Sequence, residues 1–157
     1  MRAGIFAIIT AAAVLAFHGD ARADEPVAAS CNVIEIEASN GDAPAMDAEL
    51  KILEKKLKKP PFSSWNTFKR LGGQSITLEL MKPGSLALAH GKAGLLLREV
   101  TARAPKKTRI NLGITLDDAD GKRVIDSKLA VDAGDFVVVG RSLKGNKGHI
   151  VALSCKP

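Results

Sequence analysis

Two cysteines, Cys31 and Cys155, stand near opposite ends of the part of this chain that can form a core. In an oxidising compartment such a pair is most simply one disulfide. Joined, they close a loop that takes in nearly the whole domain, worth on the order of 4–5 kcal/mol in the chain-entropy account. Any fold between them has to bring its first and last segments side by side.

The N-terminus says which compartment to expect. Met1-Arg2-Ala3 is a short positive start, and Gly4 to Phe17 is uncharged and rich in Ala, Ile, Val and Leu. That stretch would reach only about 21 Å as a helix, short of the ~20 residues a membrane span needs. His18 to Ala23 is polar and ends in the small-x-small run Ala21-Arg22-Ala23. Together these predict a secretory signal peptide over 1–23, cleaved after Ala23, and one domain over 24–157. The expected location is secreted or periplasmic, with no transmembrane segment after cleavage. Ala28-Ala29-Ser30-Cys31 faintly resembles a lipoprotein processing site, which would acylate Cys31. It is set aside because Asp20, Arg22, Asp24, Glu25 and Pro26 separate it from the apolar stretch, and because Cys155 would be left unpaired.

Cys31 to Ala38 alternates with period two, which predicts a strand, with Val33, Glu35 and Glu37 on one face. A loop over Ser39 to Pro44 leads to an amphipathic helix over Asp47 to Lys58. Its apolar stripe is Met46, Leu50, Leu53 and Leu57, and Pro60-Pro61 stops it. From Phe62 onward the pattern is β. Strands are expected over Ser64–Leu71, Gln74–Leu80, Ser85–Ala89, Leu95–Arg103, Thr108–Leu116, Arg123–Val131, Phe136–Gly140 and His149–Ser154. Short strands punctuated by Gly, Pro and Asp turns predict a mainly β chain, an antiparallel β-sandwich of Ig-like style with about seven or eight strands and one helix near the N-terminus. The lack of strand–helix–strand alternation argues against a doubly wound sheet.

Motifs for chemistry are sparse. Asp117-Asp118-Ala119-Asp120-Gly121 suggests a calcium loop, but aligning its glycine puts Leu116 first and Ser127 last, where calcium needs hard oxygen ligands. A hairpin turn fits better. Gly140 to Gly148 is rich in glycine, but its last glycine is not followed by the lysine and Ser/Thr of a phosphate loop. His90 and His149 are the histidines of the domain, in a turn and at a strand start. Zinc wants three or four compact ligands, and no Gly-x-Ser-x-Gly elbow occurs. Glu35 and Glu37 read as solvated exterior rather than an acid/base pair. No metal, cofactor or catalytic residue is expected.

The helix offers the one candidate contact surface. Lys51, Lys55, Lys58 and Lys59 project away from the leucine stripe, with Lys69 and Arg70 near in sequence. The formal net charge is +6 for the whole chain, and cleavage after Ala23 lowers it by one by removing Arg2, Arg22 and Asp20. This balance favours an anionic envelope component or an acidic protein. Nucleic acid is not expected, since aromatic and basic residues do not interleave. Phe62, Trp65 and Phe68 read as core packing before a stacking platform.

The run Ala38-Ser39, Met46-Asp47 with Leu50, Leu53 and Leu57, then Pro61-Phe62-Ser63-Ser64-Trp65 and Phe68-Lys69 resembles small secreted β-rich proteins of unknown function from myxobacteria and related bacteria. The similarity covers residues 33–71. The Leu-Pro-x-Gly turn of that group stands here as Leu88-Ala89-His90-Gly91. The resemblance implies fold and export and carries no catalytic residues. The expected function is an exported, non-catalytic accessory or binding domain of the periplasm or cell envelope. Two alternatives stand beside it. One is a small extracellular hydrolase using His90 or His149. The other is a structural or inhibitor-like module presenting an edge strand or a loop such as Leu143 to Gly148 to a protein.

Overall fold

The computed structural model describes residues 27–157. The cleavage boundary expected after Ala23 lies outside the described residues. Nine strands form: β1 (Ala28–Ser39), β2 (Ala45–Met46), β3 (Thr67–Glu79), β4 (Pro83–Leu88), β5 (Gly91–Arg103), β6 (Lys106–Asp117), β7 (Arg123–Asp132), β8 (Phe136–Leu143) and β9 (Lys147–Lys156). They make a five-stranded sheet in the order β2-β3-β1-β9-β8 and a four-stranded sheet in the order β4-β5-β6-β7. Only β2 with β3 is a parallel pair; the other paired strands run antiparallel.

The four-stranded sheet is a run of hairpins whose turns explain its glycines. Gly91 has φ +134, and a Cβ there would stand 1.9 Å from the Asp117 carbonyl oxygen. The acidic run forms the β6–β7 turn, where Asp118 Oδ1 accepts the Asp120 and Lys122 N–H groups and Gly121 has φ +79. Here the hairpin expectation holds.

The two sheets share one core. Cys31, Val33, Val151, Leu153 and Cys155 of the five-stranded sheet pack with Leu95, Leu97, Ile110, Leu112 and Ile114 of the other. A second cluster covers the opposite face of the five-stranded sheet, where Ile36, Ala38, Ile150 and Ala152 meet Leu50, Leu53, Leu57 and Phe68. The central strands β1 and β9 are therefore covered on both faces. Cys31 and Cys155 are directly opposed on them, 4.0 Å apart at Cα, and joined by the expected disulfide.

The structure corrects three expectations. A regular α-helix over 47–58 does not form: Ala48–Leu53 winds as a 3-10 helix, followed by the single turn α1 (Glu54–Leu57). Leu50 and Leu53, three apart, line up on the tighter spiral and are fully buried. Asp47 makes no side-chain cap and instead accepts the Arg70 N–H from β3 at 2.8 Å. Burying Leu50, Leu53 and Leu57 contributes roughly 1.5–3 kcal/mol each and holds this segment on the sheet.

The second correction concerns strand number. The two strands expected over 64–80 are one, β3, continuous through Gly72-Gly73, with a register shift opposite Glu35/Ile36 absorbing the irregularity. The short β2 was not anticipated. The third concerns Glu35, read as solvated exterior. It is 5% exposed, because its face of β1 looks onto the second sheet. Glu37, on the same face nearer the end of β1, keeps 22% of its side chain exposed.

Candidate functional site

Two groups of side chains warrant description, one on the helical segment and one at an end of the sheet pair. On the helical segment, burial of Leu50, Leu53 and Leu57 leaves Lys51, Lys55, Lys58 and Lys59 exposed, as expected, together with Lys56. They are not equivalent. Lys58 forms an ion pair with Glu54 one turn away, and its hydrogen bond and charge hold the Glu54 carboxyl below its usual value. Arg70 is paired with Glu49 at 2.8 Å. Lys51, Lys55, Lys56, Lys59 and Lys69 have no ion-pair partner among the described residues.

Ile52 is 71% exposed and lies between Lys51 and Lys55 in the sequence, so an apolar side chain is exposed on the same segment as lysines without ion-pair partners among the described residues. Beside this face a groove of about 540 Å³ runs between α1 and β2, floored by Met46, Trp65 and Phe68 and rimmed by Glu54 and Lys58. Phe68 is buried, and Phe62 and Trp65 pack against the same cluster, as core packing predicted. Trp65 Nε1 donates to the Asn146 carbonyl, and its ring lies over Gly148.

The second group gathers both histidines. His149, on β9, is 1% exposed, and its Nε2 is 2.8 Å from Glu35 Oε1. Glu35 also accepts two backbone N–H groups from the β4–β5 turn, Ala89 at 2.8 Å and His90 at 3.1 Å. Both Glu35 oxygens thus accept a backbone N–H, an arrangement that favours the ionised carboxylate, and against that carboxylate His149 Nε2 is the donor. Burial pushes the Glu35 carboxyl up, but the bonds from His149, Ala89 and His90 and the His149 charge together outweigh it, leaving the group below its usual value of 4.5.

His90 meets His149 edge to face, with ring centroids 5.1 Å apart, and its Nε2 lies 3.6 Å from Glu37 Oε2. Lys147 also reaches Glu37, and Arg141 Nη2 donates to the His90 carbonyl at 3.4 Å. His149 Nδ1 and Arg141 Nε are buried without hydrogen-bond partners.

Chemically this is a polar tie between the sheets. A His–carboxylate pair becomes a nucleophile-activating device only with a hydroxyl or thiol in reach. Among the described residues, the side-chain partners of these rings are Glu35, Glu37 and each other. Sequence reasoning missed the Glu35–His149 pair because 114 residues separate the two. It also missed Ile52, which points away from Leu50, Leu53 and Leu57 and is exposed. No family model, curated protein or solved structure matches the chain.

Proposed function

We propose that this chain is an exported, non-catalytic binding module of the periplasm or cell envelope, a sandwich of Ig-like style whose basic helical face contacts an anionic envelope component. The observation that carries this is the exposure of Lys51, Lys55 and Lys59, free of ion-pair partners among the described residues, with Ile52 exposed on the same segment. Lysines, point charges on flexible stems, suit a diffuse anionic surface, which asks for charge density rather than fixed geometry. The Cys31–Cys155 disulfide fits an oxidising compartment. No described helix is long and apolar enough to cross a membrane. Kinship with the small secreted β-rich proteins that residues 33–71 resemble belongs to the same proposal.

The test is retention of the purified mature protein on phosphatidylglycerol vesicles across a salt gradient. Reversing Lys51, Lys55 and Lys59 to Glu should abolish retention, whereas Lys58→Glu, at a charge already paired, should weaken it less. Retention that survives the triple reversal and ignores salt would remove the basic face from consideration.

A further inference from the structure

Sheet edges are where a β protein is open to strand addition, and natural edges are normally blunted by brevity, proline, charge or bulges. Three of the four edges here are blunted. β2 is two residues long and pairs with β3 only at Thr67 and Phe68; beyond it the β3 edge carries Lys69, Arg70 and Glu79 and is broken by the irregularity at Arg70–Gly72. β4 is six residues long and begins at Pro83. β7 carries Arg123, Asp126, Lys128 and Asp132, with a register shift opposite its start.

The fourth edge, β8, is different. It pairs with β9 alone, in unbroken register from Phe136↔Ser154 to Leu143↔Lys147. Its first half, Phe136-Val137-Val138-Val139, holds no charge and no proline and is made of strong strand formers; Gly140 follows, and Arg141 is the one charge in the strand. Phe136 to Gly140 are all partly exposed.

A cleft of about 450 Å³ lies alongside, with Phe62, Phe136 and Val138 on its walls and Lys56 and Lys59 at its rim. Its acidic side chains are already engaged: Asp132 bonds Arg109 at 3.0 Å, and Asp135 bonds Lys107 at 2.6 Å. Lys56 and Lys59 make no ion pair there, though the Lys56 charge adds to the lowering of the Asp135 carboxyl, and they lie on the face of β8 that Phe136 and Val138 share with the helical segment.

We infer that β8 is a docking edge for an extended acidic segment of a partner protein, added as a sixth strand to the five-stranded sheet with alternate carboxylates reaching Lys56 and Lys59. Main-chain hydrogen bonds along an edge supply affinity, and side chains on one face supply selectivity. Charge excludes a second copy as the favoured occupant: it would bring its own Lys56 and Lys59 against the first pair, in a chain of net charge +6. This partner goes beyond the envelope contact proposed above; the two surfaces share Lys59 and differ in Lys51 and Lys55 on one side and Lys56 and β8 on the other.

The experiment uses the purified mature protein and a blocked octapeptide of alternating Thr and Glu, with alternating Thr and Lys as its counterpart. Amide hydrogen exchange and calorimetry are read at low and high salt. The Thr-Glu peptide should slow exchange within Phe136–Leu143, and more weakly at high salt. The Lys56→Glu/Lys59→Glu variant should lose at least about tenfold in affinity, the scale of two partly exposed ion pairs. Lys51→Glu/Lys55→Glu should bind the peptide nearly as well as the parent, which separates this edge from the vesicle contact. Three results would each overturn the inference: no protection of β8 at millimolar peptide, equal protection by the Thr-Lys peptide, or protection of β8 that rises with protein concentration alone.

Discussion

Glu35 and His149 sit on neighbouring strands, diagonal to one another, and face the second sheet rather than the helical segment. Their 2.8 Å bond is one of three that end on the Glu35 carboxylate, and the other two come from the turn between β4 and β5. One side chain of the first sheet therefore holds the nearest hairpin of the second, and Arg141 takes the same turn from its carbonyl side.

Glu35→Gln tests that tie. The amide keeps the shape but turns one acceptor into a donor facing N–H groups, so a loss of about 2–3 kcal/mol is expected in urea unfolding. Amide exchange at Ala89 and His90 should quicken well beyond that at β6. Unchanged exchange at those two amides would mean the carboxylate is not what holds the turn.

Acid should expose the same group. The Glu35 carboxyl is lowered in the folded protein from 4.5, so the folded state binds its proton more weakly than the unfolded state does. Its stabilisation is complete above the unfolded value and is lost as pH falls from there through the folded one. Urea midpoints measured from about pH 7 down to about pH 3 should fall in the acid limb, and Glu35→Gln should flatten that limb. An identical acid slope in the variant would assign the dependence to other carboxylates.

The disulfide joins strands already paired along their length, so its removal should weaken the protein without changing the architecture. Cys31→Ala with Cys155→Ala should cost about 3–5 kcal/mol by the closed-loop account, with far-ultraviolet circular dichroism unchanged at low temperature. Loss of the β signal under native conditions would show the pairing of β1 with β9 to depend on the bond.

Gly148 is required by Trp65. A Cβ at that position would come within 2.7 Å of the indole ring. Gly148→Ala should destabilise by about 1–3 kcal/mol through overpacking, and a smaller side chain at Trp65 should recover part of the loss when the two are combined. Simple additivity in that double-mutant cycle would count against the contact.

Adjacent positions on the helical segment should behave as opposites. Leu53 is fully buried, so Leu53→Ala should cost about 2–5 kcal/mol. Ile52 is mostly exposed, and Ile52→Ala should stay within about 0.5 kcal/mol while reducing vesicle retention. Equal stability losses at the two sites would refute the burial of Leu53 and the exposure of Ile52.

How far the fold could be read in advance follows from range. Turns such as Asp118–Gly121 and the two-residue rhythm of β5 to β7 are local, and they were legible. The cysteine pair was legible because Cys31 and Cys155 had no other partner to find. Glu35 was misread because alternation separates the two faces of a strand without saying what covers each. A strand covered by a sheet on one side and by leucines on the other can carry a carboxylate on its inner face, provided donors arrive from elsewhere in the chain. His149 and the Ala89–His90 turn are those donors, and no spacing rule connects them to position 35. The helical segment was recognised by its leucines, but its tighter winding depends on Asp47 bonding β3 rather than capping the first turn. Lys51, Lys55, Lys58 and Lys59 were visible as exposed positions. The Glu54–Lys58 pair was legible too, from its spacing of four, whereas the placing of Lys56 beside Phe136 and Val138 required the three-dimensional arrangement.

The position of β1 in the middle of its sheet has a consequence for how the molecule comes into being. A ribosome delivers a polypeptide from its beginning, so among the described strands β1, destined for the centre, emerges first and its neighbour β9 emerges last. The consecutive hairpins of β4 to β7 can zip up on their own, whereas the larger sheet waits on pairings between distant parts of the chain, the slow kind of contact to form. Until the C-terminus arrives, β1 has no strand along that side, and the five-stranded sheet closes only when the end of the described chain is laid against its beginning.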